Sequence, residues 1–381
     1  MGDAGKRLVF LDSLRGFAAL FVVAFHSYLV PAIQKPALPT WLSPAVFYGS
    51  SGVILFFVIS AFSLSLTMPR HEANGGLTSY YLSRLFRIAP LFYFLMLFTF
   101  FWEPHYIDAP KPATQYAATA LFAFNLFPGW SVSTVWAGWT VGTEMLFYAV
   151  FPVIYLCAKG ISRKLAVLAV SYLLFLGLQV ALGRSGMSDE LVSDIHSHSI
   201  FQLLPTFIIG LITLDVYTLL KDSPNSRTVG RWLSVGAWVA LFWLFYHPFW
   251  PRLFDVRFLE AFLWSCVLLG AALSPWRVLV NKVTQFYGRI GYSVYLWHPP
   301  VIFTSTPVFK VLYGHLSPIM AFVAGFLFTL AVITPIAYVT YRAVERPGEK
   351  LGKSIVAAIR ARKELVVRSP ELTGPIHQAA P

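Results

Sequence analysis

Arg15 and His26 stand eleven positions apart in the apolar stretch LDSLRGFAALFVVAFH, where an ionised side chain costs a few kcal/mol on insertion scales. On an α-helix eleven residues turn through about 1100° and rise about 16 Å, so the two side chains share one face at opposite ends of a span. A histidine so placed suits general-base work. Its free pKa lies near neutrality, and it can take the proton of an alcohol as that oxygen attacks a thioester. Direct attack needs no enzyme nucleophile, which agrees with the lack of a G-x-S-x-G elbow, of an H-x-E-x-H type signature and of a reactive cysteine among Cys157 and Cys266. Asp12, three residues before Arg15, can pair with it and lower the cost of burying both. Taken singly, each residue also fits a blander role, with Arg15 snorkelling to headgroups and His26 a packed, hydrogen-bonded histidine. The shared face favours the joint functional reading.

A second basic element is SRLFRIAPLF, with Arg84 and Arg87 one turn apart. Guanidinium forks hold phosphate bidentately and could grip a nucleotide carrier such as CoA, although cytoplasmic anchoring explains the pair equally well. Tyr80 and Tyr81 nearby could stack on an adenine or belong to an aromatic belt. Glu144, in WTVGTEMLFYAVFP, enters an otherwise apolar span from the outer side, where it would orient a histidine or hold substrate hydroxyls. A capped structural carboxylate at a helix start is the alternative. His298 lies in GRIGYSVYLWHPPVI, where Pro299 and Pro300 free carbonyls that neighbours must satisfy; it either shapes the cavity or belongs to a satisfied helix-breaking turn. Glu345 and Arg346, before Pro347, suggest a structural ion pair. The Asp194–His198 run and His247 fall in predicted loops without convincing metal spacing, so no metal is expected.

The elements that must position these residues are helices. The chain has 381 residues, of which 57% are hydrophobic and 12% charged, with mean hydropathy +0.65; this excludes an ordinary soluble protein. The apolar runs reach the roughly 20 residues a spanning helix needs, without the alternation of a β-barrel. Spans are predicted near 8–32, 46–68, 88–102, 139–158, 164–182, 199–220, 230–247, 257–274, 289–313 and 319–343, an all-α polytopic protein of about ten transmembrane helices. The first is a retained span rather than a cleaved signal. Arg70, Arg84, Arg87, Lys159, Arg163, Lys164, Lys221, Arg227, Arg231, Arg277, Lys282 and Arg289 fall on one side. Lys35, Lys111, Arg184, Arg252, Arg257 and Lys310 fall on the other, with Asp108 and Asp255 among the acidic residues there. That bias of about two to one places both termini in the cytoplasm. The net charge of +12 follows the membrane and calls for no nucleic acid. Residues 103–138, with Pro104, Pro110, Pro112, Pro128, Trp130 and Trp136, are predicted to form an outer interfacial or re-entrant element over a cavity. Residues 1–347 form the transmembrane domain and 348–381 a basic cytoplasmic tail with a short helix.

Taken in order, these segments resemble the membrane-bound acyltransferase 3 family. The resemblance is carried by Asp12, Arg15 and His26, by GVILFFVISAF at 52–62, by the Arg-x-x-Arg of Arg84 and Arg87, by WTVGTEMLFY at 139–148, and by YSVYLWHPPV at 292–301, which contains Tyr295. In that family the first-span Arg and His matter for activity and the arginine pair is associated with acyl-CoA. The resemblance therefore implies transfer of an acyl group, acetyl foremost, from cytoplasmic acyl-CoA to a hydroxyl of a glycan or lipid-linked glycan. Ile54 and Ser60-Ala61 depart from the family's pattern of an acidic residue before the FF pair and a Ser-Gly, which puts a polar role for the second span in doubt.

The expected catalytic set is His26, Arg15 and Glu144, with Arg15, Arg84 and Arg87 on acyl-CoA. Glu144 and His298 would hold the acceptor, and Asp12, Tyr295 and Glu345 would support the site. The expected setting is a bacterial-type inner membrane, and the expected task is modification of cell-surface glycans or exopolysaccharide, with acylation of a small secreted molecule as the alternative within the family. A secondary transporter or glycan-export protein would use buried Arg, His and Glu as a path instead, but no inverted repeat is visible.

Overall fold

A computed structural model describes residues 8–29, 37–105, 111–247 and 255–368, with side chains in the last stretch described to 362. Lys35, Asp108, Pro110, Arg252 and the tail beyond 368 lie outside the described residues. Those described form helices and connecting turns, with no strand among them.

The helices, in chain order, are α1 (Val9–Leu29), α2 (Ser43–Phe47), α3 (Gly52–Ala73), α4 (Gly76–Trp102), α5 (Ala113–Ala120), α6 (Trp139–Cys157), α7 (Ile161–Gly183) and α8 (Asp189–His198). They continue with α9 (Ile200–Leu220), α10 (Ser226–Tyr246), α11 (Val256–Leu273), α12 (Lys282–Arg289), α13 (Gly291–Thr304), α14 (Thr306–His315), α15 (Pro318–Thr340) and α16 (Arg346–Arg368). Among the described residues, nine helical stretches are long and apolar enough to cross a membrane. Burial ranks them: 72% of the best window of Ser43–Ala73 is buried but 17% of that of Ile161–Gly183, so α3 is central and α7 peripheral.

The predicted span at 289–313 is not a single helix. It breaks at Ser305 into α13 of 14 residues and α14 of 10, each shorter than a membrane crossing. Pro299 and Pro300 lie within α13, and Pro307 opens α14. Apolar on all sides, α13 buries Gly291 and every residue from Ser293 to Ile302, as expected for a helix enclosed by others. Residues 103–105 and 111–138 form short helical turns, α5 and an irregular stretch, and Val132, Trp136 and Ala137 line a cavity. At the other end, a π-helical turn at Tyr341–Glu345 joins α15 to α16. The helix thus runs on past the predicted domain boundary at 347. Gly348 and Gly352 of α16 lie against Pro90 and Phe86 of α4, where a methyl group would have no room.

α1 packs against α3, α12 and α13. Leu11, Leu14, Ala18, Val22 and their neighbours form its buried face. Gly49 and Gly52 approach the backbone of α1 directly, and small residues allow such close crossings in membranes. The tightest crossing is with α12, a short helix started by an Asn281–Thr284 capping box. A Cβ on Gly16 would collide with the Thr284 carbonyl, and one on Gly288 with the Asp12 carbonyl. Asp12 and Arg15 therefore sit where two backbones touch.

Gly288→Ala is expected to destabilise the protein by about 1–3 kcal/mol through overpacking, seen as a lower unfolding temperature in detergent. Gly236→Ala, at a position with open space around it, should leave that temperature unchanged. Equal behaviour of the two variants would contradict the contact.

Candidate active site

Two cavities lie at the two ends of α1. The first, of ≈ 340 Å³, is lined by Asp12, Arg15, Ser60, Ser63, Arg84, Arg87, Glu144, Tyr148, Arg289, Tyr292, Glu345 and Glu349, among others. The second, of ≈ 890 Å³, is lined by His26 together with aromatic, small polar and a few charged side chains. Val53 and Tyr295 line both, so these side chains form the partition. Thr140 Oγ1 donates to the Tyr295 hydroxyl at 3.0 Å, and Phe56 meets the Tyr295 ring edge to face.

The arginine cavity holds several separate polar contacts. Arg15 donates to Ser63 Oγ at 2.8 Å and lies 3.6 Å from Asp12, the pairing expected at that spacing. Arg84 and Arg87 face the same space. Arg84 donates to Thr67 Oγ1 at 3.4 Å, its guanidinium carbon is 6.0 Å from the Tyr148 ring centre, and its Nε is buried without a partner among the described residues. The Ser60 and Tyr148 hydroxyls both donate to Glu144 Oε1. Glu345 accepts from Ser293 Oγ at 2.9 Å. Buried guanidinium groups require such partners, because an unpaired charge in a low-dielectric interior costs several kcal/mol.

The histidine end is fixed by backbone carbonyls. His26 Nδ1 lies 2.9 Å from Val22 O, one turn back. A carbonyl can only accept, so Nδ1 carries the hydrogen, and in the neutral ring the lone pair is on Nε2. His298 repeats this logic by another route. Pro299 has no N–H, which leaves the Tyr295 carbonyl without its helical donor; His298 Nδ1 takes that carbonyl instead. Its Nε2 is buried without a partner among the described residues. The rings of His26 and His298 lie with centres 4.6 Å apart.

The structure thus brings together Arg15, Arg84, Arg87 and Glu144 at one end and His26 and His298 at the other, with Tyr295 between. Four expectations change. Glu144 lies with the arginines, because five residues into α6 it has already reached the level of Ser60, halfway along α3. His298 is fully buried and lines neither cavity, so it stands behind His26. Glu345 makes no ion pair with Arg346, which instead lies over the Tyr341 ring. Tyr80 and Tyr81 face neither cavity; their hydroxyls donate to the Tyr148 and Ala149 carbonyls at 3.0 Å and tie α4 to α6.

Sequence reasoning missed Ser60 and Ser63, which give α3 the polar role that had been in doubt. It also missed Glu260, which lines the histidine cavity, although an acidic residue within the span 257–274 was a signal of the same kind as His26. His198, expected in a loop, ends α8 and lines that cavity, with Nδ1 3.0 Å from Asp194 Oδ1. Among the described residues no group of three or more His, Cys, Asp or Glu is arranged to hold a metal.

Comparison with known proteins gives a consistent picture. A family model described as an acyltransferase domain matches residues 8–338. A protein of Acidianus two-tailed virus named as an acetyltransferase is 24% identical over 76% of this chain and 81% of its own length. O-acetyltransferase OatA of Staphylococcus aureus is 23% identical over 94% of this chain, and a protein of Bacillus subtilis named as the peptidoglycan O-acetyltransferase YrhL is 24% identical over 79%. The matches cover 60% of the length of OatA and 49% of that of YrhL. No solved structure matches the chain.

Glu144→Ala is expected to cost roughly 2–3 kcal/mol of stability, as it removes a charged acceptor from two hydroxyls, and Ser60→Ala about 1 kcal/mol. Thermal unfolding in detergent measures both. Equal, small shifts for the pair would show that the carboxylate does not organise this cavity.

Proposed function

The chain belongs to the acyltransferase family whose model spans residues 8–338, and on that premise we propose that it transfers an acetyl group from acetyl-CoA to a hydroxyl of a glycan acceptor. The observation that carries this reading is the tautomer of His26. Its Nδ1 hydrogen is committed to Val22 O, so a basic Nε2 remains on a ring that lines the larger cavity.

In this reading the phosphates of acyl-CoA bind at the arginine end, held by Arg15, Arg84 and Arg87, and the pantetheine arm runs along α1 past Tyr295. The distance from Arg15 to His26, about 16 Å along the helix, suits such an arm. The acceptor hydroxyl enters the histidine cavity. Its oxygen attacks the thioester carbon as His26 Nε2 takes the proton, the C–S bond breaks, and the proton passes from His26 to the leaving sulfur. Products are the ester and free CoA thiol. His298 is a positioning residue, holding the His26 ring by packing and offering its Nε2 lone pair beside the imidazolium that forms. Holding donor and acceptor together in one cavity supplies much of the rate.

Peptidoglycan and related surface glycans are the acceptor class that the names of the bacterial relatives favour. The charge asymmetry of the loops supports an inner-membrane orientation with the arginine cavity and both termini on the cytoplasmic side. The basic segment 348–381 then lies where acyl-CoA is made available.

Membranes carrying His26→Ala should transfer label from acetyl-CoA at least about 10²-fold more slowly than wild type while still binding CoA. Arg15→Ala should weaken CoA binding as well. Undiminished acetylation in both variants would remove the mechanism. The partition makes a separate prediction: Tyr295→Ala should let longer acyl-CoA donors react relative to acetyl-CoA, measured as the ratio of kcat/KM for octanoyl and acetyl donors. An unchanged ratio would mean that the acyl group does not pass Tyr295.

A further inference from the structure

Glu260 carries a carboxyl group that has no hydrogen-bond or ion-pair partner among the described residues. It lies in the second turn of α11, is 4% exposed and faces the histidine cavity. Its polar neighbours are engaged elsewhere: Asp255 accepts from Gln202 Nε2 at 2.7 Å and from the Arg257 backbone at 2.8 Å, and Arg257 donates to the Ser197 carbonyl at 3.2 Å. Burying an unpaired carboxylate is costly, so one aimed into a cavity points to hydrogen-bond donors that arrive with a ligand.

The rest of the cavity indicates what kind of donor. Flat aromatic rings form its walls: Tyr48 stacks on Phe245 with ring centres 4.5 Å apart and planes 13° from parallel, and Trp136 and Trp139 line it as well. Trp136 is held in place, since its Nε1 donates to Glu103 at 3.1 Å and Lys111 donates to the same oxygen at 2.7 Å. Fixed rings suit the C–H faces of a saccharide, and a carboxylate has acceptor sites for adjacent hydroxyls. A transported inorganic cation would instead call for a cluster of carboxylates, and Glu260 is the cavity's lining acidic residue.

We propose that Glu260 is the acceptor-binding carboxylate: its oxygens accept hydrogen bonds from hydroxyls flanking the one to be acylated and turn the reacting oxygen toward His26. The assignment rests on the acyl-transfer reading for the last step, but the binding it describes can be measured without any transfer.

The test uses the full chain in lipid nanodiscs and follows tryptophan fluorescence during titration with chitobiose and with permethylated chitobiose, which keeps the ring faces but donates no hydroxyl hydrogen. Wild type should bind chitobiose and discriminate against the permethylated form. Glu260→Ala should weaken chitobiose binding about 10-fold or more, the usual scale for a charge-assisted hydrogen bond. Glu260→Gln should fall between, and acetyl-CoA affinity should be unchanged in both variants, which also reports that they are folded. Equal affinity in wild type and Glu260→Ala, equal affinity for both sugars, or no chitobiose binding by wild type would overturn the proposal. If wild-type membranes transfer no acetyl group, the acyl-transfer reading fails, and the same titration still decides whether Glu260 binds hydroxyls.

Discussion

An ionisable side chain inside a hydrocarbon layer must find its partners within the protein or in a cavity that admits a ligand, and the bundle is arranged around that requirement. Water cannot relieve an unpaired guanidinium or carboxylate there. Arg15, Arg84 and Arg87 are therefore gathered with Glu144, Glu345 and Asp12 around one small cavity, although they come from α1, α4, α6 and the turn after α15. Assembling those groups fixes how these elements meet. The close crossing of α1 and α12 at Gly16 and Gly288 then holds the start of α1 against the bundle, and the rigid length of α1 sets how far His26 stands from the arginines.

The same requirement produces the reactive end. Two prolines in α13 remove backbone donors, and the carbonyl that loses its donor at Tyr295 captures His298 Nδ1. A local backbone defect thereby fixes a side-chain tautomer. His26 is fixed in the matching state by the ordinary helical carbonyl of Val22. The outcome is two imidazoles side by side, each with its Nδ1 hydrogen committed to the backbone. In the proposed mechanism His26 then serves as base without a carboxylate partner, whose charge would need compensation of its own.

Much of this was legible along single helices, because one helix's period is written in its own residues. The shared face of Arg15 and His26, the pairing of Asp12 with Arg15, and the joint facing of Arg84 and Arg87 follow from 3.6 residues per turn. The all-helical, polytopic class follows from apolar runs of sufficient length. What could not be read is how far one helix slides along another. Glu144 was expected beside the histidine because it begins a span, yet the register of α6 against α3 sets it level with Ser60. Ser60 and Ser63 were undervalued for the same reason, since their partners Glu144 and Arg15 are far away in the chain. The break at Ser305 was hidden by continuous hydropathy, which counts apolar residues but does not register that α13 is enclosed on all sides. Glu260 was legible and passed over.

The central claim is that one donor molecule reaches from the arginine cavity past Tyr295 to His26. The most direct measurement is a cryo-EM structure of the full chain in nanodiscs with a non-hydrolysable acetyl-CoA analogue. The account predicts phosphate density against Arg84 and Arg87 and continuous density along α1, ending at the acyl carbonyl beside His26 Nε2. Density confined to one cavity, with Tyr295 closing the way to the other, would contradict it.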